Sequence, residues 1–166
     1  MKKTILAAIV CAFALSGCAP IQKQVVKRPA FPVEEYQALP KEGTGKVKGE
    51  LFGMTRGGDV KIGAGSKITL RPYTTYIKNT PQINYNTQIL ETIDGRAVEY
   101  DKTVLTDAQG KFEFENVPPG QYEVFGSFSW YAGNYPQVII LDEIITVKNG
   151  DVIQVQPWSL LSKNLR

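Results

Sequence analysis

The stretch from Thr106 to Val124, Thr-Asp-Ala-Gln-Gly-Lys-Phe-Glu-Phe-Glu-Asn-Val-Pro-Pro-Gly-Gln-Tyr-Glu-Val, constrains the fold more tightly than any other part of the 166-residue chain. Asp107 and Gly110 hold the first and fourth positions of a type I turn, which favour an acceptor side chain and a glycine. Phe112 and Phe114 alternate with Lys111, Glu113 and Glu115, the period-two pattern of a strand with one buried and one wet face. Pro119 and Gly120 suit the centre of a type II turn, with φ preset at the proline and positive φ open to the glycine. Tyr122, Val124, Phe128 and Trp130 share one face of the strand that follows. The stretch therefore reads strand, turn, strand, turn, strand.

That signature resembles the carboxypeptidase-regulatory-like modules, prealbumin-like sandwiches that often carry a T-D-x-x-G-x-F-x-F-x-x-V-P-P-G-x-Y-x-V run. The resemblance implies an all-β fold, a seven-strand antiparallel Greek-key sandwich. Such modules stand beside enzymes, receptors and surface anchors and usually have no catalytic role. A non-catalytic interaction or structural module is the function that follows.

The start of the chain speaks to compartment. Met1-Lys2-Lys3 is a positive n-region, Ile5 to Leu15 an apolar h-region, and Ser16-Gly17 a small pair before a cleavage point. The pattern is a secretory signal peptide over 1–17, too short for a membrane span. Leu15-Ser16-Gly17-Cys18 resembles the bacterial lipobox, which implies a thioether-linked diacylglycerol on Cys18 and acylation of the new amine, commonly by palmitate. Two acyl chains anchor a protein stably, each buried CH₂ contributing about 0.8 kcal/mol. Ala19 in the next position resembles lipoproteins sent to the outer membrane, on its periplasmic side rather than the cell surface.

Residues 18–44 form the expected tether, with Pro20, Pro29, Pro32 and Pro40 stiffening it towards polyproline II. The apolar set Phe31, Val33, Tyr36 and Leu39 is unusual for a linker and has equal claim to pack on the domain. Residues 45–166 are the expected domain. Strands are predicted over 46–55, around Ile68 and Leu70, and over 97–106, 111–115, 121–131, 136–147 and 151–156. Asn149-Gly150 carries a type I′ hairpin signal. Thr55–Lys67 reads as a mobile glycine-rich turn. Within 73–95, Thr80-Pro81 suits a helix start and Gly95 its stop, although Asp94-Gly95 would serve a hairpin equally. The predicted core comprises Val47, Leu51, Ile68, Leu70, Phe112, Phe114, Tyr122, Val124, Phe128, Trp130, Ile139, Leu141, Ile153 and Val155.

Chemistry is sparse. The chain contains no histidine, which removes Ser-His-Asp triads, Cys-His pairs and the common zinc sites. Cys11 leaves with the signal peptide and Cys18 carries lipid, so no disulfide or cysteine metal site remains. The Gly58–Gly63 region lacks the Lys-Ser/Thr of a phosphate loop. Asp94, Glu99, Asp101 and Asp107 are oxygen ligands that calcium would accept, but their spacing is not that of an EF-hand loop. Lys46 and Lys48 sit where the adhesin repeats that this module resembles place an isopeptide lysine, yet 151–156 contains no asparagine. No enzyme activity, cofactor or metal is expected. With Lys2 and Lys3 gone, 17 of the 19 basic residues face 16 acids, a balance that gives nucleic acid no cationic field.

Two surfaces remain as binding candidates. The rings of Trp130, Tyr131, Tyr135, Tyr73, Tyr76 and Tyr85 offer a face for stacking sugars or peptides. The strand 136–147 is apolar on both sides, so Val138 and Ile140 point away from the core, with Phe125 and Tyr131 on the neighbouring strand. That face calls for a cover, either the chain's own 73–95 insertion or Phe31–Leu39 segment, or an envelope protein partner or second copy docking on Val138, Ile140, Phe125 and Tyr131. A carbohydrate- or peptidoglycan-binding module, or an accessory lipoprotein of a secretion machine, is the alternative; for the latter the type VI secretion lipoprotein is a fold-level analogue only.

Overall fold

The computed structural model describes residues 22–55 and 57–156. The signal segment and Cys18 lie outside the described residues. Among those described, the elements in chain order are β1 (Gln24–Val26), α1 (Val33–Gln37), β2 (Gly45–Glu50), β3 (Phe52–Met54), β4 (Val60–Ile62), β5 (Lys67–Pro72) and α2 (Thr75–Lys78). There follow β6 (Gln88–Leu90), α3 (Gly95–Val98), β7 (Lys102–Leu105), β8 (Lys111–Val117), β9 (Gly120–Ala132), β10 (Tyr135–Val147) and β11 (Val152–Val155). The fold is an all-β, sandwich-like one with a few short helices.

Two sheets face each other, one ordered β10-β9-β5-β7 and the other β11-β2-β8. Their inward residues make one buried cluster, with Ile68, Leu70, Val124, Ile139 and Leu141 from the first and Val47, Phe112, Phe114 and Val155 from the second. Each large apolar side chain buried there contributes about 1.5–3 kcal/mol. Every predicted core residue lies in or against this cluster, Phe128, Trp130 and Ile153 being only partly buried. Val117, Ile145 and Val147 complete it.

The turn at Asp107 forms as expected. Gly110 N donates to Asp107 O, the Asp107 carboxylate takes the amides of Gln109 and Lys111, and Gly110 has φ of 79°. A Cβ on Gly110 would also lie 2.6 Å from the Leu51 carbonyl oxygen. The other turns differ from expectation. Positive φ falls on Asn116, at 53° within the end of β8, and Gly120 is simply the first residue of β9. At Asn149-Gly150 only the glycine has positive φ, whereas a type I′ hairpin needs two such residues. The chain therefore crosses to the opposite sheet, where β11 pairs with β2 in parallel, Val152 beside Lys46. The sandwich is thus not wholly antiparallel. Thr44 fastens the crossing, its amide donating to Asn149 Oδ1 and its hydroxyl accepting from Gly150 N.

Three further expectations are corrected. The glycine-rich 55–67 segment contains β4, which pairs with β3 as a hairpin, so the long first strand divides after Glu50. Thr80 closes α2 rather than opening a helix, because its amide and hydroxyl both return to that turn. Gly95 starts α3 instead of stopping a helix, since Asp94 caps it by accepting from Arg96 N; the strand over 97–106 shortens to β7.

Contacts divide the described chain into two units. The larger spans 28–80 and 92–156 and contains the sandwich. It also holds a second small core, in which Tyr36 of α1, Tyr76 of α2 and Ala97 of α3 pack with Phe31, Leu39 and Ile93. The Phe31–Leu39 segment is therefore folded and not a bare tether. The buried Thr74 hydroxyl donates to the Tyr36 hydroxyl oxygen at 3.0 Å. The smaller unit comprises 22–27 and 81–91, where β1 and β6 pair in parallel and Lys23 Nζ donates to the Tyr85 carbonyl.

Candidate functional site

β9 and β10 are far longer than the strands beside them, and the excess carries an exposed apolar surface. They pair without a register shift from Gly120–Val147 to Ala132–Tyr135, whereas β5 meets β9 only over Tyr122–Gly126. Residues beyond Gly126 and before Leu141 therefore form a two-stranded arm. Its inner side carries Phe128, Trp130 and Ile139, with the Phe128 and Trp130 rings stacked at 5.5 Å. The β3–β4 hairpin approaches that side through glycines: a Cβ at Gly53 would lie 2.6 Å from Ile139, and one at Gly63 2.7 Å from Phe128. The indole Nε1 of Trp130 is buried without a hydrogen-bond partner.

The outer side pairs Pro136 with Tyr131, Val138 with Ser129, Ile140 with Ser127, Asp142 with Phe125 and Ile144 with Glu123. Ile140 is 58% exposed, Ile144 52% and Tyr131 76%. Val138 is half-buried. The expected surface residues do share a face, but Phe125 is already engaged. The Arg71 guanidinium lies 4.7 Å above its ring and is held by a two-pronged bond to Asp101, at 2.9 and 2.7 Å. Burial works against the charge of Arg71, but its bonds and attraction to Asp101 outweigh this and raise its pKa. Burial raises the Glu123 carboxyl, and the nearby Asp142 charge adds to the effect. Ile144 was readable from the same alternation as Val138 and Ile140, four residues along the strand, and belongs to the strip that Phe125 leaves.

Of the six rings expected to form a stacking face, Tyr85 belongs to the smaller unit, and the five in the larger unit are not brought together. Tyr76 is in the second core, Trp130 faces inward, and Tyr131 and Tyr135 are exposed on the arm. Tyr73 instead lines a groove of about 400 Å³ with Tyr100, Tyr122, Pro72 and Pro119, and with Gln121 and Lys102 among its polar groups. Tyr122 donates its hydroxyl to the Pro118 carbonyl, and burial raises its pKa.

The acidic candidates are likewise dispersed. Asp101 serves Arg71, Asp107 caps its own turn, and Asp94 binds Arg96, whose side-chain and backbone bonds lower the carboxyl to about 2. Among the described residues no group of three or more metal-ligating side chains occurs. Lys46 Nζ lies 2.6 Å from Glu115 and 3.4 Å from Glu113, an ion-pair ladder on the outer face of the three-stranded sheet.

No family model matches the chain, and no curated protein matches it. Its fold is similar to that of a solved candidate carbohydrate-binding protein of Pseudomonas aeruginosa, with a TM-score of 0.63 and 24% identity over 78% of this chain and 99% of that one. At that identity the similarity is one of fold. A weaker match is to the major pilin subunit of Bacillus cereus, with a TM-score of 0.37 and 17% identity over 69% of this chain and 29% of that chain.

Proposed function

We propose that the chain is a lipoprotein anchored through Cys18 on the periplasmic side of the outer membrane, whose sandwich acts as a non-catalytic protein-interaction module. The observation that carries this reading is the strip Tyr131, Val138, Ile140 and Ile144. Three of these residues are exposed on a regular sheet, and large exposed apolar patches mark contacts. The seven strands of the two facing sheets, in this reading, follow the Greek-key prealbumin-like order. Val138→Lys combined with Ile140→Lys is expected to leave the domain folded while abolishing capture of envelope proteins by the lipidated chain. A folded double variant that retains every partner would falsify the assignment of the surface. Cys18→Ser is expected to end incorporation of labelled palmitate; continued labelling refutes the anchor.

A second reading, a carbohydrate-binding module, is favoured by the groove at Tyr73, Tyr100 and Tyr122 and by the role suggested for the Pseudomonas protein. Aromatic faces beside Gln121 and Lys102 suit a sugar ring with its hydroxyls. Binding of peptidoglycan fragments in calorimetry, weakened by Tyr100→Ala and untouched by the Val138 and Ile140 changes, would select it.

A further inference from the structure

The backbone of β10 poses a question separate from its side chains. Among the described residues β10 is the outermost strand of its sheet, with β9 on one side only. Alternate N–H and C=O groups along an antiparallel edge point away from its neighbour, and such a row is a template for another strand. The other edges of the sandwich are short or charged. β7 and β11 have four residues each, and β8 has seven, of which Lys111, Glu113 and Glu115 are exposed. β10 runs for 13 residues in unbroken register, without a bulge and without a single lysine or arginine. Its guards are Pro136 near the tip and the acidic pair Asp142-Glu143.

That acidic pair says what the edge accepts. Glu143 occupies the core-facing side of the strand with Leu141 and Ile145, where it is only partly exposed. Among the described residues neither Asp142 nor Glu143 has an ion-pair partner. An inward-pointing charge on an edge strand repels indiscriminate pairing. Opposite charges across a strand pair attract and like charges repel, so a strand bearing lysine or arginine at this level removes the objection that an acidic or neutral one meets. A second copy of β10 would bring only more carboxylate. Resting on the reading of the arm as a protein-binding element, we infer that β10 takes up an extended partner strand of alternating apolar residues with a basic residue opposite Asp142-Glu143.

The test uses the full chain and an array of nine-residue alternating valine–threonine peptides, with lysine, arginine, serine or glutamate at the centre. The basic peptides are expected to bind at least tenfold tighter than the glutamate peptide and to slow hydrogen exchange at alternate amides of 137–145. N-methylation of alternate peptide amides along one edge should abolish binding, and Glu143→Lys should reverse the preference. Equal binding of all centres, indifference to N-methylation, or protection of the outward-pointing β10 amides before peptide is added each overturns the proposal. So does sedimentation of the peptide-free chain as a dimer that the basic peptides cannot dissociate. Loss of partner capture on Val138→Lys with Ile140→Lys, without any effect of N-methylation, leaves the side-chain surface standing and removes the edge.

Discussion

The two outer faces of the sandwich follow the same rule and are finished in opposite ways. On the three-stranded sheet the outward positions of β2 and β8 are charged, with Lys46 against Glu113 and Glu115 and Lys111 against Glu50. On the β9–β10 pair the outward positions include Tyr131, Val138, Ile140 and Ile144, with Ser127 and Ser129 between the strands' apolar groups. Both sheets alternate, and both turn valine, leucine, isoleucine or phenylalanine inward to a common core. Burial therefore dictates every second residue and leaves the rest open. The charged face keeps its sheet in water; an apolar one is free to hold something else. Between these extremes, Arg71 over Phe125 shows a third solution, an apolar ring covered by the chain's own cation.

The sharpest way to break this contrast is to change adjacent residues on opposite sides of β10. Leu141→Ala should cost about 2–5 kcal/mol in chemical denaturation, the range for emptying a packed site, because Leu141 is 1% exposed. Ile140→Ala should change stability by no more than about 0.5 kcal/mol. Comparable losses would mean that the outer side is packed after all. Next in size is Asp101→Asn, which removes the charge that Arg71 binds and should cost about 1.5–3 kcal/mol. A neutral outcome in thermal melts would show that Arg71 covers Phe125 without needing Asp101.

A smaller effect is expected in the pH profile of Glu123→Gln. The Glu123 carboxyl is raised in the folded chain, so its protonated form favours folding, most fully below its ordinary value of 4.5. That contribution disappears as pH rises through the raised folded value. Glutamine should therefore flatten the decline in stability above pH 4.5, and an unchanged profile would contradict the burial that causes the shift. Smallest of all should be Lys46→Met on the charged face, since half-exposed ion pairs add little. Its melting temperature should barely move, with or without added salt; a large drop would make that ladder structural.

How far these faces were legible depended on whether the signal was local. Period-two alternation placed the core because it needs only neighbouring residues, and the Asp107–Gly110 turn was readable for the same reason. Pro119-Gly120 and Asn149-Gly150 misled, since each permits positive φ at a residue that the surrounding sheets did not require it of. A side chain at Gly120 meets nothing closer than the Tyr122 ring at 3.4 Å, so valine there should be mild where valine at Gly110 is not. The covering of Phe125 was hidden for another reason. Arg71 and Asp101 stand 30 positions apart from each other and on different strands or loops from Phe125, and no periodicity links them. For the binding strip, Val138 and Ile140 were visible as surplus apolar residues, but only exposure could separate Ile144, which remains open, from Phe125, which does not.

The parallel pairing of β11 with β2 governs the order in which the chain can assemble. Lys46 waits for Val152, so the central strand of the three-stranded sheet has one side unpaired until nearly all of the domain exists. Local hairpins such as β3–β4 and β9–β10 can close within microseconds, whereas contacts between distant segments must first meet the entropy of a long loop. Between those two events β2 keeps one open edge. The Thr44 bonds to Asn149 and Gly150 then act as the latch that closes it.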